Sequence, residues 1–190
     1  MTASFPFRRN SPGRRTFISG GHGPSATVST AFSNFADNFM ALRLPRDFKD
    51  FLKLLNKNKV RYLLIGGYAV SIFGYVRATK DMDVWVSDDP VNKKRLKKIF
   101  QKFGFPPDSL PLDLFSLPGQ ILRMGIPPMR IEVVSTISGV DFKKCYKSRK
   151  RETVDGITIN VISLPYLLIN KKASGRPQDI ADYKRLKEKI

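Results

Sequence analysis

Residues 63–86 read LLIGGYAVSIFGYVRATKDMDVWV, and this stretch decides the fold. An apolar strand-like run ends at Gly66-Gly67, a short apolar helix follows, and Asp81 and Asp83 open a second strand. Because alternate side chains of a strand share one face, the two aspartates point the same way. Two adjacent carboxylates repel each other unless a cation joins them, and such oxygen ligands suit Mg²⁺. The stretch therefore predicts a divalent-metal site beside a glycine turn.

Residues near this pair are candidates for phosphate binding. The bare backbone N–H groups of Gly66 and Gly67, at the start of a helix, can approach a phosphate closely. Arg77, Thr79 and Lys80 lie just before the aspartate pair and are further nucleotide-binding candidates. The alternative interpretation of these three is that they are ordinary surface-turn residues. The stretch holds neither the dinucleotide-binding glycine pattern nor a Walker A lysine, which excludes both of those nucleotide-binding motifs.

Outward from this stretch, the hydrophobic pattern predicts alternating helices and strands. The predicted elements are a helix beginning at 45–47, a strand over 60–65, a helix over 68–73, a strand over 81–86, a helix beginning at 90, a strand over 129–135, a helix over 140–149, a hairpin over 152–162 that turns at Asp155-Gly156, and helices over 164–173 and 176–190. Residues 104–128 are predicted to be loops with short elements. Regular βαβ alternation is missing, so the predicted class is α+β: a mixed β-sheet flanked by helices, with C-terminal helices.

The N-terminal segment differs in composition from the rest of the chain. Residues 1–40 are rich in Ser, Gly, Pro and Arg, their first acidic residue is Asp37, and they show no apolar periodicity. We predict a disordered basic tail over 1–40 and one domain over 41–190. Met40 stands just before the organised part, so we expect the functional protein to start near it.

The net charge of +18, from 34 Lys and Arg against 16 Asp and Glu, points to a polyanionic partner. A solvated basic surface is the alternative, and charge alone does not separate RNA from DNA or an anionic membrane. No apolar run approaches the roughly 18 residues of a membrane span, so we predict no membrane partner. The single Cys145 forms no internal disulfide and fits a cytoplasmic protein. The single His22 argues against a histidine-based zinc site or a Ser-His-Asp triad.

The order of strand, Gly-Gly, short helix and Asp-x-Asp resembles the signature of the nucleotidyltransferase superfamily, which has the DNA polymerase beta-like fold. The spacer over 68–80 has 13 residues, at the long end of the family range. That superfamily carries a third carboxylate on a later strand, and Glu132 within RIEVV at 130–134 matches it. An exposed edge-strand residue is the alternative interpretation of Glu132. Segments 131–142 and 161–182 are similar to small bacterial proteins related to the AbiEii toxin group, and the resemblance covers about residues 45–187.

The resemblance implies an Mg²⁺-dependent enzyme that transfers a nucleotide from a nucleoside triphosphate to an acceptor hydroxyl. Asp81, Asp83 and Glu132 would be its catalytic residues and would bind two Mg²⁺ ions, with Mn²⁺ as the alternative. Relatives often have Asp where this chain has Glu132, which leaves open whether Glu132 is a base or a metal ligand. Lys171 and Arg176 are candidates for binding the triphosphate or the acceptor. For Asp179 we favour a structural pairing with Arg176.

The basic composition favours RNA, such as a tRNA end, as the acceptor. Two alternatives stay open beside the enzyme. One is a catalytically silent module that binds RNA or protein through the same fold. The other is a toxin–antitoxin component that forms a stable complex with an antitoxin or other partner protein. The three acids argue against the silent module, because degenerate members tend to lose such costly side chains.

Overall fold

One mixed β-sheet organises the residues that the computed structural model describes, which are 2–5, 44–106, 110, 114–115, 119–126 and 129–188. Its strands are β1 Thr2–Phe5, β2 Tyr62–Leu64, β3 Asp81–Val86, β4 Ile121–Met124, β5 Arg130–Val134, β6 Lys150–Val154 and β7 Ile157–Val161. They lie in the order β1-β4-β5-β3-β2-β7-β6. β3 pairs in parallel with β5, whereas β2 pairs antiparallel with β3. The predicted α+β class with a mixed sheet is confirmed.

Helices flank this sheet. They are α1 Arg46–Lys57, α2 Gly66–Ile72, α3 Pro90–Lys102, α4 Phe142–Lys147, α5 Leu164–Ser174 and α6 Pro177–Lys187. On one side, Tyr62 lies opposite Val86 in register, and its hydroxyl donates to Asn56 of α1. On the other side, Trp85 packs edge-on against Phe142 of α4. The two faces of β3 are therefore both covered towards its C-terminal end.

The helix α1 forms because its apolar residues recur at helical spacing. Phe48, Phe51, Leu52 and Leu55 are fully buried, as the pattern predicted. Burying each such side chain contributes about 1.5–3 kcal/mol. Phe51 also stacks on Phe100 of α3, with ring centroids 6.4 Å apart, so the two helices pack together over the sheet.

Several predicted elements lie where the sequence placed them. The hairpin β6–β7 turns at Asp155 and Gly156, whose φ angles of 49° and 74° match the mirror-image turns that favour such dipeptides. The helix α3 begins at Pro90 with Asp89 as its cap, since the Asp89 side chain accepts from the Asn92 backbone N–H. Gly175, at φ 68°, ends α5 in the left-handed conformation.

Two strands were not predicted. β4 lies inside 104–128, which was predicted as loops with short elements, and only four residues pair there. β1 lies inside the predicted disordered tail and pairs in parallel with β4 at the sheet edge. The rest of that tail prediction falls outside the described residues. Among the helices that are described, none combines the length and the apolar character needed to cross a membrane.

Candidate active site

Three carboxylates share one face at the centre of the sheet. Asp81 and Asp83 stand on β3, where half-buried residues alternate with fully buried ones. Glu132 stands on the adjacent parallel strand β5 and lies opposite Asp83 in register. The structure therefore brings Glu132 beside the aspartates rather than leaving it at an edge.

The two glycines are required by packing against this acidic face. A Cβ on Gly66, whose φ is 64°, would lie 1.9 Å from Asp83 Oδ2. A Cβ on Gly67 would lie 2.5 Å from Thr79 Oγ1. The backbone at the start of α2 thus approaches the carboxylates more closely than any other residue would allow. The role of the glycines in phosphate binding stays a prediction.

Two arginines contact the acids, and sequence reasoning missed both of them. Arg130 donates from Nε to Asp81 Oδ1 at 3.0 Å and from a terminal nitrogen to Asp81 Oδ2 at 2.8 Å. Arg123 donates from Nε to Glu132 Oε1 at 2.8 Å. The position of Arg130 could have been predicted, because it precedes Glu132 by two residues on the same strand and so shares its face. Arg123 faces Glu132 only through the β4–β5 register, which the sequence does not show.

Asp83 differs from its two neighbours because it has no counter-ion in contact. Within the described residues, its carboxylate accepts no hydrogen bond and forms no ion pair. Burial, and then the negative charges of Glu132 and Asp81, raise the pKa of Asp83 to about 6. The more distant positive charges of Lys171 and Arg176 act in the opposite direction. Asp83 is therefore the point at which the site most lacks positive charge.

This donor set fits a hard divalent cation, although it is not assembled as a finished metal cluster. Over the described ranges, no group of three or more His, Cys, Asp or Glu side chains stands ready to hold a metal. Asp81 and Glu132 instead turn towards their arginines. Three carboxylates nevertheless share one face, and burial together with the charges of Glu132 and Asp81 raises the pKa of Asp83. Oxygen donors of this kind are the ones that Mg²⁺ prefers.

The C-terminal helices lock together through a buried ionic network. Lys171 of α5 is 3% exposed, and its Nζ lies 2.5 Å from Asp179 Oδ1 and 3.0 Å from Asp182 Oδ2, both on α6. Arg176 donates to Asp179 Oδ2 at 2.6 Å, which confirms the predicted structural pairing. Burial alone would raise the pKa of Asp179, but hydrogen bonds from Lys171 and Ser174 outweigh it and hold the pKa below its ordinary value.

The same network reaches back to the predicted nucleotide-binding residues. Arg77 donates two hydrogen bonds to Asp182, at 3.0 and 3.1 Å, so it ties the segment before β3 to α6. Thr79 donates to the backbone carbonyl of Asp81 at 3.3 Å. Lys80 is exposed. The Arg176 side chain is 76% exposed. Of the cations predicted to bind phosphate, Lys80 faces solvent and the other three are engaged in the network, although most of the Arg176 side chain is exposed.

Gly66→Ala tests whether the turn is needed for its close approach to Asp83. Gly175 has nearly the same positive φ, 68° against 64°, and a Cβ there would meet nothing within 4 Å. Gly175→Ala therefore carries backbone strain alone, about 1–2 kcal/mol. We expect Gly66→Ala to lose about 1–3 kcal/mol more of unfolding free energy, because the new methyl group collides with the Asp83 carboxylate. Urea denaturation of both variants measures the difference, and equal losses would contradict the packing argument.

Three solved structures with a similar fold are distant in sequence. A candidate nucleotidyltransferase from Thermotoga maritima is 15% identical, with 75% of this chain and 89% of that chain covered and a TM-score of 0.50. The lincosamide antibiotic adenylyltransferase LnuA, solved with lincomycin bound, is 17% identical, with 76% and 96% covered and a TM-score of 0.47. An antigenic nucleotidyltransferase-like protein from Paracoccidioides brasiliensis is 15% identical, with 82% and 76% covered and a TM-score of 0.44.

A search of curated proteins finds no match. A family model does match, and it spans residues 43–187, which include the glycine turn, all three acids and both C-terminal helices. That range is most of the chain and nearly all of its described part. The chain therefore belongs to the family described as nucleotidyltransferase of unknown function (DUF6036).

Proposed function

We propose that the protein is an Mg²⁺-dependent enzyme that transfers a nucleotide from a nucleoside triphosphate to an acceptor hydroxyl. The observation that carries the proposal is the row of carboxylates on β3 and β5, in which Asp83 and Glu132 lie in register and Asp83 has no partner of its own among the described residues. Membership of a nucleotidyltransferase family supports the same reaction.

Each group of the site has a task in this proposal. Asp81, Asp83 and Glu132 would hold Mg²⁺, which supplies charge neutralisation at the phosphates and acidifies a bound hydroxyl. Arg130 and Arg123 now neutralise Asp81 and Glu132, and they lie on the face where the triphosphate would bind. Released from the acids, their guanidinium groups suit phosphate oxygens, to which arginine donates in pairs.

The solvent-facing cations extend this positive field. Arg176 acts electrostatically on Asp83 from the start of α6, and its side chain is 76% exposed although it pairs with Asp179. Lys80 is exposed immediately before Asp81. We assign both to the triphosphate. Lys171 and Arg77 contribute indirectly, because their ion pairs with Asp182 hold α5 and α6 against the segment that leads into β3.

RNA is the acceptor that the composition favours, because a net charge of +18 suits a polyanion. The rival function on the same fold is a silent module that binds RNA or protein without transferring a nucleotide. The AbiEii-like relationship and a toxin–antitoxin role stay predictions.

The test is a transfer assay with each of the four α-³²P-labelled nucleoside triphosphates, Mg²⁺ and total RNA. We expect label from one triphosphate to enter RNA, and the label to be lost when Mg²⁺ is chelated. Asp81→Asn serves as the catalytic control, since it removes one charge from the metal-binding face. The same assay is run with a cell lysate in place of RNA. If protein or a small molecule becomes labelled instead of RNA, the acceptor is not RNA. If no triphosphate is consumed while RNA still binds, the silent module is correct and the enzyme proposal is wrong.

A further inference from the structure

A second concave site lies away from the central carboxylates, at one edge of the sheet. It is a cavity of about 500 Å³ beside the edge strand β6. Lys53 and Asn56 of α1 line one side, and Tyr146 of α4, with Arg149 just after it, lines the other. Neither the three acids nor the arginines that contact them take part in it. Its volume is that of a typical ligand pocket, for which about 300–1,000 Å³ is usual.

The charge of this cavity is positive and uncompensated. Lys53, Arg149 and Arg151 line it, and no Asp or Glu does so. Within the part of the chain that the structure describes, none of these three cations forms an ion pair with a carboxylate. Three like charges around one concave surface repel each other, and an anionic ligand relieves that repulsion.

The planar guanidinium group of Arg149 is held in place by its neighbours. Its guanidinium carbon lies 4.0 Å from the centre of the Tyr146 ring, and that ring stacks in turn on Phe142. Arg149 Nη1 donates to the Tyr146 carbonyl at 2.6 Å, and Nε donates to Asn160 Oδ1 at 3.1 Å. Arg149 is therefore held by Tyr146 and Asn160, and both of these residues line the cavity together with it.

We propose that this cavity binds one nucleotide of single-stranded RNA, with its base stacked on Arg149 and the adjoining phosphates at Lys53 and Arg151. Unstacked bases are recognised in this way, on aromatic rings and arginine planes, whereas duplex bases are hidden in the helix. Asn56 is already engaged, since its amide donates to the Thr158 carbonyl and accepts from Tyr62. Asn160 accepts from Arg149 through Oδ1, so its amide nitrogen is the polar group on the cavity wall for a base edge. A guanidinium plane beside an amide nitrogen favours a nucleotide over an acidic peptide, whose recognition would need the positive charges alone.

The inference deepens the proposed function, because it gives an RNA acceptor a binding site separate from the site of chemistry. Only the acceptor role rests on that function. The binding itself requires neither Mg²⁺ nor a triphosphate, so it is measured without them. Loss of nucleotidyl transfer would leave this proposal standing, and loss of RNA binding would leave the transfer reaction standing.

The experiment is fluorescence anisotropy with a 5′-labelled single-stranded 12-nucleotide RNA at several salt concentrations. We expect Arg149→Ala to weaken binding by about tenfold or more, the effect of losing one stacked base. Arg149→Lys keeps the charge but not the plane, and should weaken binding nearly as much. The double variant Lys53→Ala, Arg151→Ala should lose two phosphate contacts. The slope of log K against log salt concentration should therefore become shallower by about 1.4.

The matched control removes two exposed charges elsewhere, by Lys94→Ala with Lys97→Ala on α3. We expect it to weaken binding less than the Lys53 and Arg151 double variant does. The proposal is overturned if the two double variants weaken binding equally, if Arg149→Lys binds like wild type, or if poly-glutamate competes as well as single-stranded RNA. Lys53 and Arg151 are exposed, so their variant keeps the test valid even if Arg149→Ala does not fold.

Discussion

Asp83→Asn is expected to abolish nucleotidyl transfer and, in the same protein, to raise the free energy of unfolding at pH 7.5. The activity falls because the variant loses the carboxylate that no described side chain neutralises. We expect a loss of more than about 100-fold, since electrostatic groups at reacting centres are worth about 10²–10³ in rate. The transfer assay with labelled triphosphate measures it. Activity within a few-fold of wild type would exclude Asp83 from the catalytic machinery.

The stability gain follows from the raised pKa of Asp83. The pKa rises from 3.8 to about 6 on folding, so between these values the folded state binds more protons than the unfolded state. The contribution of the Asp83 carboxyl to the free energy of unfolding is therefore fully present below pH 3.8, and it is lost as the pH rises through about 6. Two pKa units correspond to about 3 kcal/mol, the upper limit of what Asn recovers at pH 7.5.

Urea denaturation of the metal-free protein at pH 3.5 and pH 7.5 measures this effect. The free energy of unfolding of Asp83→Asn should exceed that of wild type at pH 7.5 and equal it at pH 3.5. Asp81→Asn is the control, because Asp81 already accepts two hydrogen bonds from Arg130 and gains nothing from neutralisation. A destabilised Asp83→Asn variant at pH 7.5 would show that the charge of Asp83 is already compensated.

The positions of the acids could be predicted because strand alternation acts over two residues. Asp81 and Asp83 share a face for that local reason, and the hairpin turn at Asp155-Gly156 was equally local. The position of Glu132 does not follow from local alternation, because its place beside Asp83 depends on the parallel pairing of β3 and β5. The resemblance to a family grouped Glu132 with the aspartates in advance, but the pairing of the two strands was not predicted.

The counter-ions could not be predicted from the sequence, because each partner comes from a distant segment. Arg123 reaches Glu132 through the register of β4, a strand of four residues inside a stretch rich in Pro and Gly. Arg77 reaches Asp182 across 105 positions. In a chain with 34 Lys and Arg, composition does not reveal which cations are buried in ion pairs and which remain free for phosphate.

Lys171→Met is expected to cost the protein about 3–5 kcal/mol of unfolding free energy at pH 7, the usual cost of breaking a buried ion pair. Lys171 is 3% exposed and pairs with both Asp179 and Asp182. Without it, each carboxylate keeps a single cation, Arg176 for Asp179 and Arg77 for Asp182. Methionine fills a similar volume, so the loss reports the charge rather than a cavity.

The neighbouring Lys172 provides the matched control, since it is exposed on the same helix. Lys172→Met should stay within about 0.5 kcal/mol of wild type. The pH dependence has the opposite sign to that of Asp83. The lowered pKa of Asp179 stabilises the fold above its unfolded pKa, and that contribution disappears as the pH falls through the folded pKa. The deficit of Lys171→Met should therefore shrink in acid, and equal losses for both lysine variants would mean that the network does not stabilise the junction of α5 and α6.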